Sequence, residues 1–258
     1  MFDLNNKIAL VTGASGGIGA EVATALHAQG ATVVLHGTRA SKLEALRAEL
    51  GERAVVVTAN LANRDDVADL VESASEAAGG PLNILVNNAG TSQRGDFLDI
   101  SDALWQEDLD LKLFAAIRLS RLVIPGMRTR QWGRIINVLN LGAKAPAGGS
   151  APTAISRAAG MALMKVLASE NAAYNVLVNG LLVGRIESEQ WERRHAADAR
   201  QLSLEDWYAE AAEQLGISMG RFGTAQEFAN IATFLASDAG SYINGTAINV
   251  DGGLSPVV

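Results

Sequence analysis

The segment Ile8-Ala9-Leu10-Val11-Thr12-Gly13-Ala14-Ser15-Gly16-Gly17-Ile18-Gly19 decides the fold. It opens with an apolar run that does not alternate with polar residues, the pattern of a strand buried on both faces of a parallel sheet. A glycine-rich turn follows, and then a helical pattern over 18–29. Glycines permit a tight turn and a close approach of backbone to a pyrophosphate. The N-terminus of the next helix adds free N–H donors and a favourable dipole. Gly13, Ser15, Gly16, Gly17, Ile18 and Gly19 are therefore candidate cofactor-binding residues. Their spacing is Gly, three residues, Gly, one residue, Gly, which is not the commoner dinucleotide fingerprint.

The same unit repeats along the chain. Further strands are expected at Thr32–Leu35, Ala54–Val57, Ile84–Val86, Arg134–Val138, Val176–Val178 and Ala247–Val250, after the first at Ile8–Val11. Helical patterns near 40–50, 65–78, 102–128, 151–173 and 225–236 lie between them. This order implies an α/β fold: one Rossmann-type domain over 1–258, a doubly wound parallel sheet of seven strands with helices on both faces. Residues 184–220 depart from the alternation. They are charged, hold Trp191 and Trp207, and read as a substrate lid or as a plain surface helical pair.

Composition narrows the function. The 258 residues include no cysteine, which excludes disulfides, cysteine nucleophiles and thiolate metal sites. Three scattered histidines (His27, His36, His195) argue against a metal centre. A net charge of −7 disfavours binding to nucleic acid phosphates. Val176 to Val183, among the richest apolar stretches, is far too short to span a membrane, and only six polar or mixed residues precede the first strand. A soluble cytoplasmic protein is expected.

The glycine spacing resembles that of the short-chain dehydrogenase/reductase family, and other residues agree across essentially the whole chain. Asn60-Leu61 resembles the family's adenine contact, and Asn87-Asn88-Ala89-Gly90 matches its Asn-Asn-Ala-Gly motif. Val178-Asn179, Gly184 and Ile186 fit the segment beside the nicotinamide, with Val183 where the family usually has Pro. Asn244-Gly245 and Asp251-Gly252-Gly253 match the C-terminal strand. The first ninety residues especially resemble the bacterial 3-oxoacyl-carrier-protein reductases. The resemblance implies a small-molecule substrate and a homo-oligomer, dimer or tetramer. Leu113, Ala116, Ile117, Leu163 and Leu167 are apolar candidates for the shared faces, although core burial explains them equally well. The second strand ends in His36-Gly37-Thr38-Arg39, without the acid that would accept the ribose hydroxyls of NAD. Thr38 and Arg39 suit a 2′-phosphate, which favours NADP over NAD.

The catalytic half departs from the family. Its tetrad uses a Tyr acid, a Lys four residues later, a Ser beside the substrate and an Asn holding a relay water. By carry-over, Asn140 stands at the Ser, Thr153 at the Tyr, Arg157 at the Lys and Lys112 at the Asn. None of Tyr174, Tyr208 and Tyr242 has a Lys four residues on. Thr153 does not titrate near neutral pH, and Arg157 can hold the nicotinamide ribose but is a poor proton exchanger. Lys112 either enters the cleft, where Arg157 would lower its pKa and make it the acid Thr153 cannot be, or turns to solvent or pairs with Asp108 one helical turn earlier.

Three readings follow: an NADP-dependent oxidoreductase with a rearranged site; an NADP-binding pseudoenzyme with a regulatory or assembly role; and an enzyme that keeps NADP as a fixed part of its fold. His195 reads as a solvated lid residue or a replacement acid. Glu187 and Glu189 read as surface acids or as partners of an amine or Lys. Ser150 reads as the N-cap of the Thr153 helix, and Ser156 flanks its first turn.

Overall fold

The apolar runs pair as the sequence implies. The structure is a computed structural model that describes residues 2–200 and 202–258. Seven parallel strands form one sheet: β1 (Ile8–Thr12), β2 (Thr32–His36), β3 (Ala54–Val57), β4 (Ile84–Asn87), β6 (Gly133–Asn140), β8 (Val176–Val183) and β9 (Ala247–Val250). Their order is β3-β2-β1-β4-β6-β8-β9. The order reverses between β1 and β4, so the crevice opens at their C-terminal ends.

Helices α1 (Gly17–Ala28), α2 (Ala40–Leu50) and α9 (Ala225–Ala236) lie on one face. Helices α3 (Arg64–Ala77), α5 (Ala115–Thr129) and α6 (Thr153–Asn171) lie on the other. Two apolar clusters cover the two faces, one built around Val22, Leu26 and Phe228, the other around Leu70, Leu119 and Met164. Ala116 is buried, while Leu113, Ile117, Leu163 and Leu167 are half-buried. Phe114 just before α5, Leu122 on α5, and Ile155 and Val166 on α6 are large apolar residues that stand exposed.

The structure corrects three expectations. The single helix expected over 102–128 is broken into α4 (Asp102–Leu109), a wider π turn at Asp110–Phe114, and α5. In that turn the Ala115 N–H donates to Asp110 O, five residues back. Two short strands outside the main sheet, β5 (Arg94–Gly95) and β7 (Ala151–Pro152), pair antiparallel and set Arg94 opposite Pro152. Ser150 does not cap α6: its hydroxyl donates to Ala147 O at 2.5 Å, and no side chain caps that helix.

The segment 184–220 carries α7 (Glu189–Ala196) and α8 (Leu204–Gln214), and includes Gln201, which lies outside the described residues. Trp207, Tyr208 and Phe222 form a small core of their own, against which Trp191 packs. Both tryptophans thus anchor this segment. His195 is fixed by Leu202 O at 2.8 Å and the edge of Trp207, as a structural residue.

Gly19 shows how tight the first turn is. A Cβ there would overlap Gly13 O and Asn88 Nδ2. Gly19→Ala is expected to lower the unfolding free energy by about 1–3 kcal/mol, despite the roughly 1 kcal/mol that alanine gains over glycine inside a helix. Gly148→Ala, which meets nothing within 4 Å, should change stability by about 0.5 kcal/mol or less. Denaturant titration of both variants checks the contrast.

Candidate active site

Thr12, the last residue of β1, ties the glycine-rich turn to the end of β4. Its hydroxyl donates to Val86 O at 3.1 Å and accepts from the N–H groups of Asn88 and Ala89, each at 3.0 Å. Asn88 Nδ2 returns to Thr12 O at 2.9 Å and Gly13 O at 3.3 Å. The two motifs therefore form one rim of the crevice. No side chain caps α1 at its N-terminus. Gly17 sits in the left-handed region at φ 57° and faces open space. This uncapped cradle, with free room at Gly17, fits a dinucleotide pyrophosphate.

The other cofactor-side residues surround it. Arg39 reaches back to the turn, donating to Ser15 O at 2.9 Å and Ser15 Oγ at 3.2 Å, while Thr38 is exposed. His36 is buried beside Ala59 O at 3.1 Å, and burial lowers its pKa. Asn60 accepts from Ala62 N–H at 3.1 Å, and Leu61 is buried. Asn87 Nδ2 donates to Asn137 Oδ1 at 2.8 Å, leaving Asn87 Oδ1 sealed without a partner. Gly184 has Asp251 against it, where a Cβ would collide. The Ile186 side chain turns to Gly223 and is buried, so only the backbone at Ile186 is available to a cofactor.

The four carried-over catalytic positions divide into a knot and two neighbours. Lys112, made interior by the π turn, is buried and paired with the Asp108 carboxylate. It also donates to Thr153 Oγ1 at 2.6 Å. The Asp108 pair, which the sequence offers as the alternative to Lys112 entering the cleft, is therefore formed, and it still leaves the ammonium against Thr153. Ser156 donates to the second Asp108 oxygen at 2.6 Å. Arg157 donates to Val138 O at 2.8 Å, and a Cβ on Gly90 would overlap its guanidinium. That same Cβ would stand 3.5 Å from Lys112 Cε, so Gly90, Lys112 and Arg157 converge. Asn140 Oδ1 is sealed and unpartnered, and lies at the edge of this group beside Gly142.

Burial lowers the Lys112 pKa from its ordinary 10.5, against the hydrogen bond that Lys112 donates to Asp108; the charges of Arg157 and Arg94 push the same way as burial. Desolvation, and not chiefly Arg157, is thus the main cause. Burial likewise brings Arg157 down to about 10, still protonated at neutral pH. Sequence reasoning offered the Asp108 pair only as an alternative to Lys112 entering the cleft, and it missed the contact of Ser156 with Asp108. The signal was the i,i+4 spacing of Asp108 and Lys112, and the place of Ser156 one turn beyond Thr153 on the same helix. Among the described residues no group of three or more acids and histidines could hold a metal ion, and no helix is long and apolar enough to cross a membrane.

A family model described as Enoyl-(Acyl carrier protein) reductase matches residues 13–255. The chain belongs to the short-chain dehydrogenase/reductase family. It is 42% identical to a nodulation protein G of Rhizobium sp. (strain N33) over 257 residues, all of each chain. It is 33% identical to the 3-oxoacyl-[acyl-carrier-protein] reductase of Rickettsia felis, over 98% of this chain and 99% of that one. Among solved structures, a short chain oxidoreductase from Pseudomonas aeruginosa PAO1, described as containing an atypical catalytic center, superposes with a TM-score of 0.93 at 34% identity. The match covers 99% of this chain and 100% of that one. The NADPH-bound structure of that oxidoreductase superposes at 0.91.

Lys112→Met is expected to cost about 3–5 kcal/mol of stability, because Asp108 is left as a buried charge without its cation. Adding Asp108→Asn should recover part of that loss. The folded state holds fewer protons than the unfolded chain between the lowered Lys112 pKa and 10.5. The penalty for burying the charge is therefore full below that window, and stability should rise with pH through it in the parent but not in Lys112→Met. Denaturant titrations of the three proteins over alkaline pH measure both effects.

Proposed function

We propose that the protein is an NADP(H)-dependent oxidoreductase acting on a carbonyl or alcohol substrate through an atypical site of Lys112, Asn140, Thr153 and Arg157. The observation that carries this reading is the hydrogen bond from Lys112 to Thr153 Oγ1 at 2.6 Å. It couples an ammonium with a lowered pKa to a hydroxyl at the place of the family's acid. NADP is favoured over NAD by Arg39 on the glycine-rich turn, by the missing acid after β2, and by the NADPH complex of the Pseudomonas relative.

Bound NADPH would supply a hydride to the substrate carbon. The chain's own residues handle the proton. Thr153 Oγ1 accepts from Lys112, so its own hydrogen is left for another acceptor. When that hydrogen passes to a substrate oxygen, Lys112 Nζ replaces it. Asp108 holds Lys112 in place from below, and Ser156 holds Asp108. Desolvation moves Lys112 toward the range where a general acid works well. The guanidinium of Arg157, fixed under Gly90, places a permanent positive charge beside the developing oxyanion. Residues 184–220 act as a lid over this crevice, and the exposed apolar residues of α5 and α6 serve a dimer or tetramer.

A second reading rests on the burial of Thr153 and of the Lys112–Asp108 pair. In it the pair is a structural lock, and the protein binds NADP without hydride transfer, in a regulatory or assembly role.

Calorimetry and NADPH oxidation over a carbonyl panel test these readings. NADPH should bind more tightly than NADH, and Arg39→Ala should erase most of the difference. Turnover on generic ketones should be weak, and Lys112→Met should lower kcat/KM by about 10²-fold or more. Equal binding of NADH sinks the cofactor assignment. Tight NADPH binding with no oxidation of NADPH on any carbonyl favours the second reading.

A further inference from the structure

Glu189, the first residue of α7, leaves the lid and lies against the cofactor cradle. Its Oε1 pairs with Lys42 Nζ, and its Oε2 lies 3.8 Å from Arg39 Nη1 and 3.7 Å from Arg193 Nη1. A Cβ on Gly16 would stand 3.9 Å from that carboxylate and 2.9 Å from Arg39 Nη2, so both charged groups hang over the glycine-rich turn. Arg39 is fixed there by Ser15. Lys42, on the first turn of α2, adds a second cation that sequence reasoning had not placed at the site. A guanidinium and an ammonium facing one anion is how a phosphate monoester is held. Here the anion comes from the protein itself, and Lys42, with help from Arg39 and Arg193, keeps the Glu189 carboxyl below the usual carboxylate range.

We infer that Glu189 is a built-in stand-in for the 2′-phosphate of NADP(H), and that the entering phosphate expels it and unlatches the first helix of the lid. The inference rests on the reading of Arg39 as part of the 2′-phosphate site. A phosphate and a carboxylate cannot share two cations without strong repulsion, so the two states exclude each other. Expulsion leaves no orphan charge, because Glu189 keeps Arg193 one turn along its own helix. The side chains of Glu189, Arg39 and Lys42 are about half exposed, which makes the latch weak and readily exchanged. NAD(H) has no group to compete for the cations and leaves the latch closed. One pair of cations then sets both the choice of cofactor and the state of the lid.

The test uses 2′,5′-ADP and 5′-AMP, which share the adenosine and differ in the 2′-phosphate. Affinities are measured by calorimetry, and hydrogen exchange over 186–197 reports the lid. In the parent protein, 2′,5′-ADP should speed exchange there and 5′-AMP should not. Glu189→Gln should exchange fast without ligand and bind 2′,5′-ADP about two- to fivefold more tightly, with 5′-AMP unchanged. Unchanged or weaker 2′,5′-ADP binding by Glu189→Gln overturns the inference, as does exchange insensitive to either ligand. Arg39→Ala separates the premise: if it binds 2′,5′-ADP as the parent does, the 2′-phosphate assignment itself is wrong. If Arg39→Ala weakens binding and Glu189→Gln does not strengthen it, only the stand-in role fails.

Discussion

The crevice depends on the clamp between Thr12 and Asn88. The Thr12 hydroxyl with three hydrogen bonds and the Asn88 side-chain amide with two, all of 2.9–3.3 Å, hold the end of β1 to the end of β4 and the residues after it. Those strands flank the point where the sheet changes direction. The clamp fixes the glycine-rich turn close to the Asn-Asn-Ala-Gly segment, and thereby sets where backbone N–H groups can meet a ligand. It is also why Gly13 and Gly19 must lack side chains, since both lie within reach of the Asn88 amide. Cofactor cradle and sheet topology are one constraint here.

The fold was legible because its buried strands are short, apolar and rich in Val and Ile. Their ends were less so. β8 was expected over Val176–Val178 but runs on to Val183 through Asn179 and Gly180. Asn179 can lie inside the sheet because its amide donates to Ile243 O at 2.8 Å and its oxygen accepts from Thr246 N–H at 3.2 Å. Such partners lie more than sixty residues away and leave no local trace. The two-residue strands β5 and β7 are too short for any periodic signal, yet their pairing settles where Arg94 stands relative to Thr153.

The candidate site divides in the same way. Its cofactor half rests on glycines, asparagines and one arginine whose spacing is visible along the chain. Its catalytic half rests on contacts between α4, the π turn and α6. Alignment by position singled out Lys112, Thr153 and Arg157, which the structure brings together. The counter-charge of Asp108 was legible only as one option, from its place one helical turn before Lys112, and the hold of Ser156 on its second oxygen was not legible, because neither residue occupies a position that the family marks. The sequence allowed Glu189 a Lys partner but did not single out Lys42, 147 positions away.

The π turn at Asp110–Phe114 has a consequence for how this chain can change. It spreads over five residues a rotation that an α-helix makes in about four, so the surplus residue is absorbed locally and α4 and α5 keep nearly the phase of one continuous helix. Removing one residue of the turn would leave a regular helix with both ends still facing the sheet, but would change which side chain of the turn faces Thr153. The same deletion inside α5 would turn everything beyond it by about 100° and take its apolar face off the sheet. The turn is thus a place where this helix can gain or lose a residue and keep its packing, at the expense of the side chains that the turn itself presents.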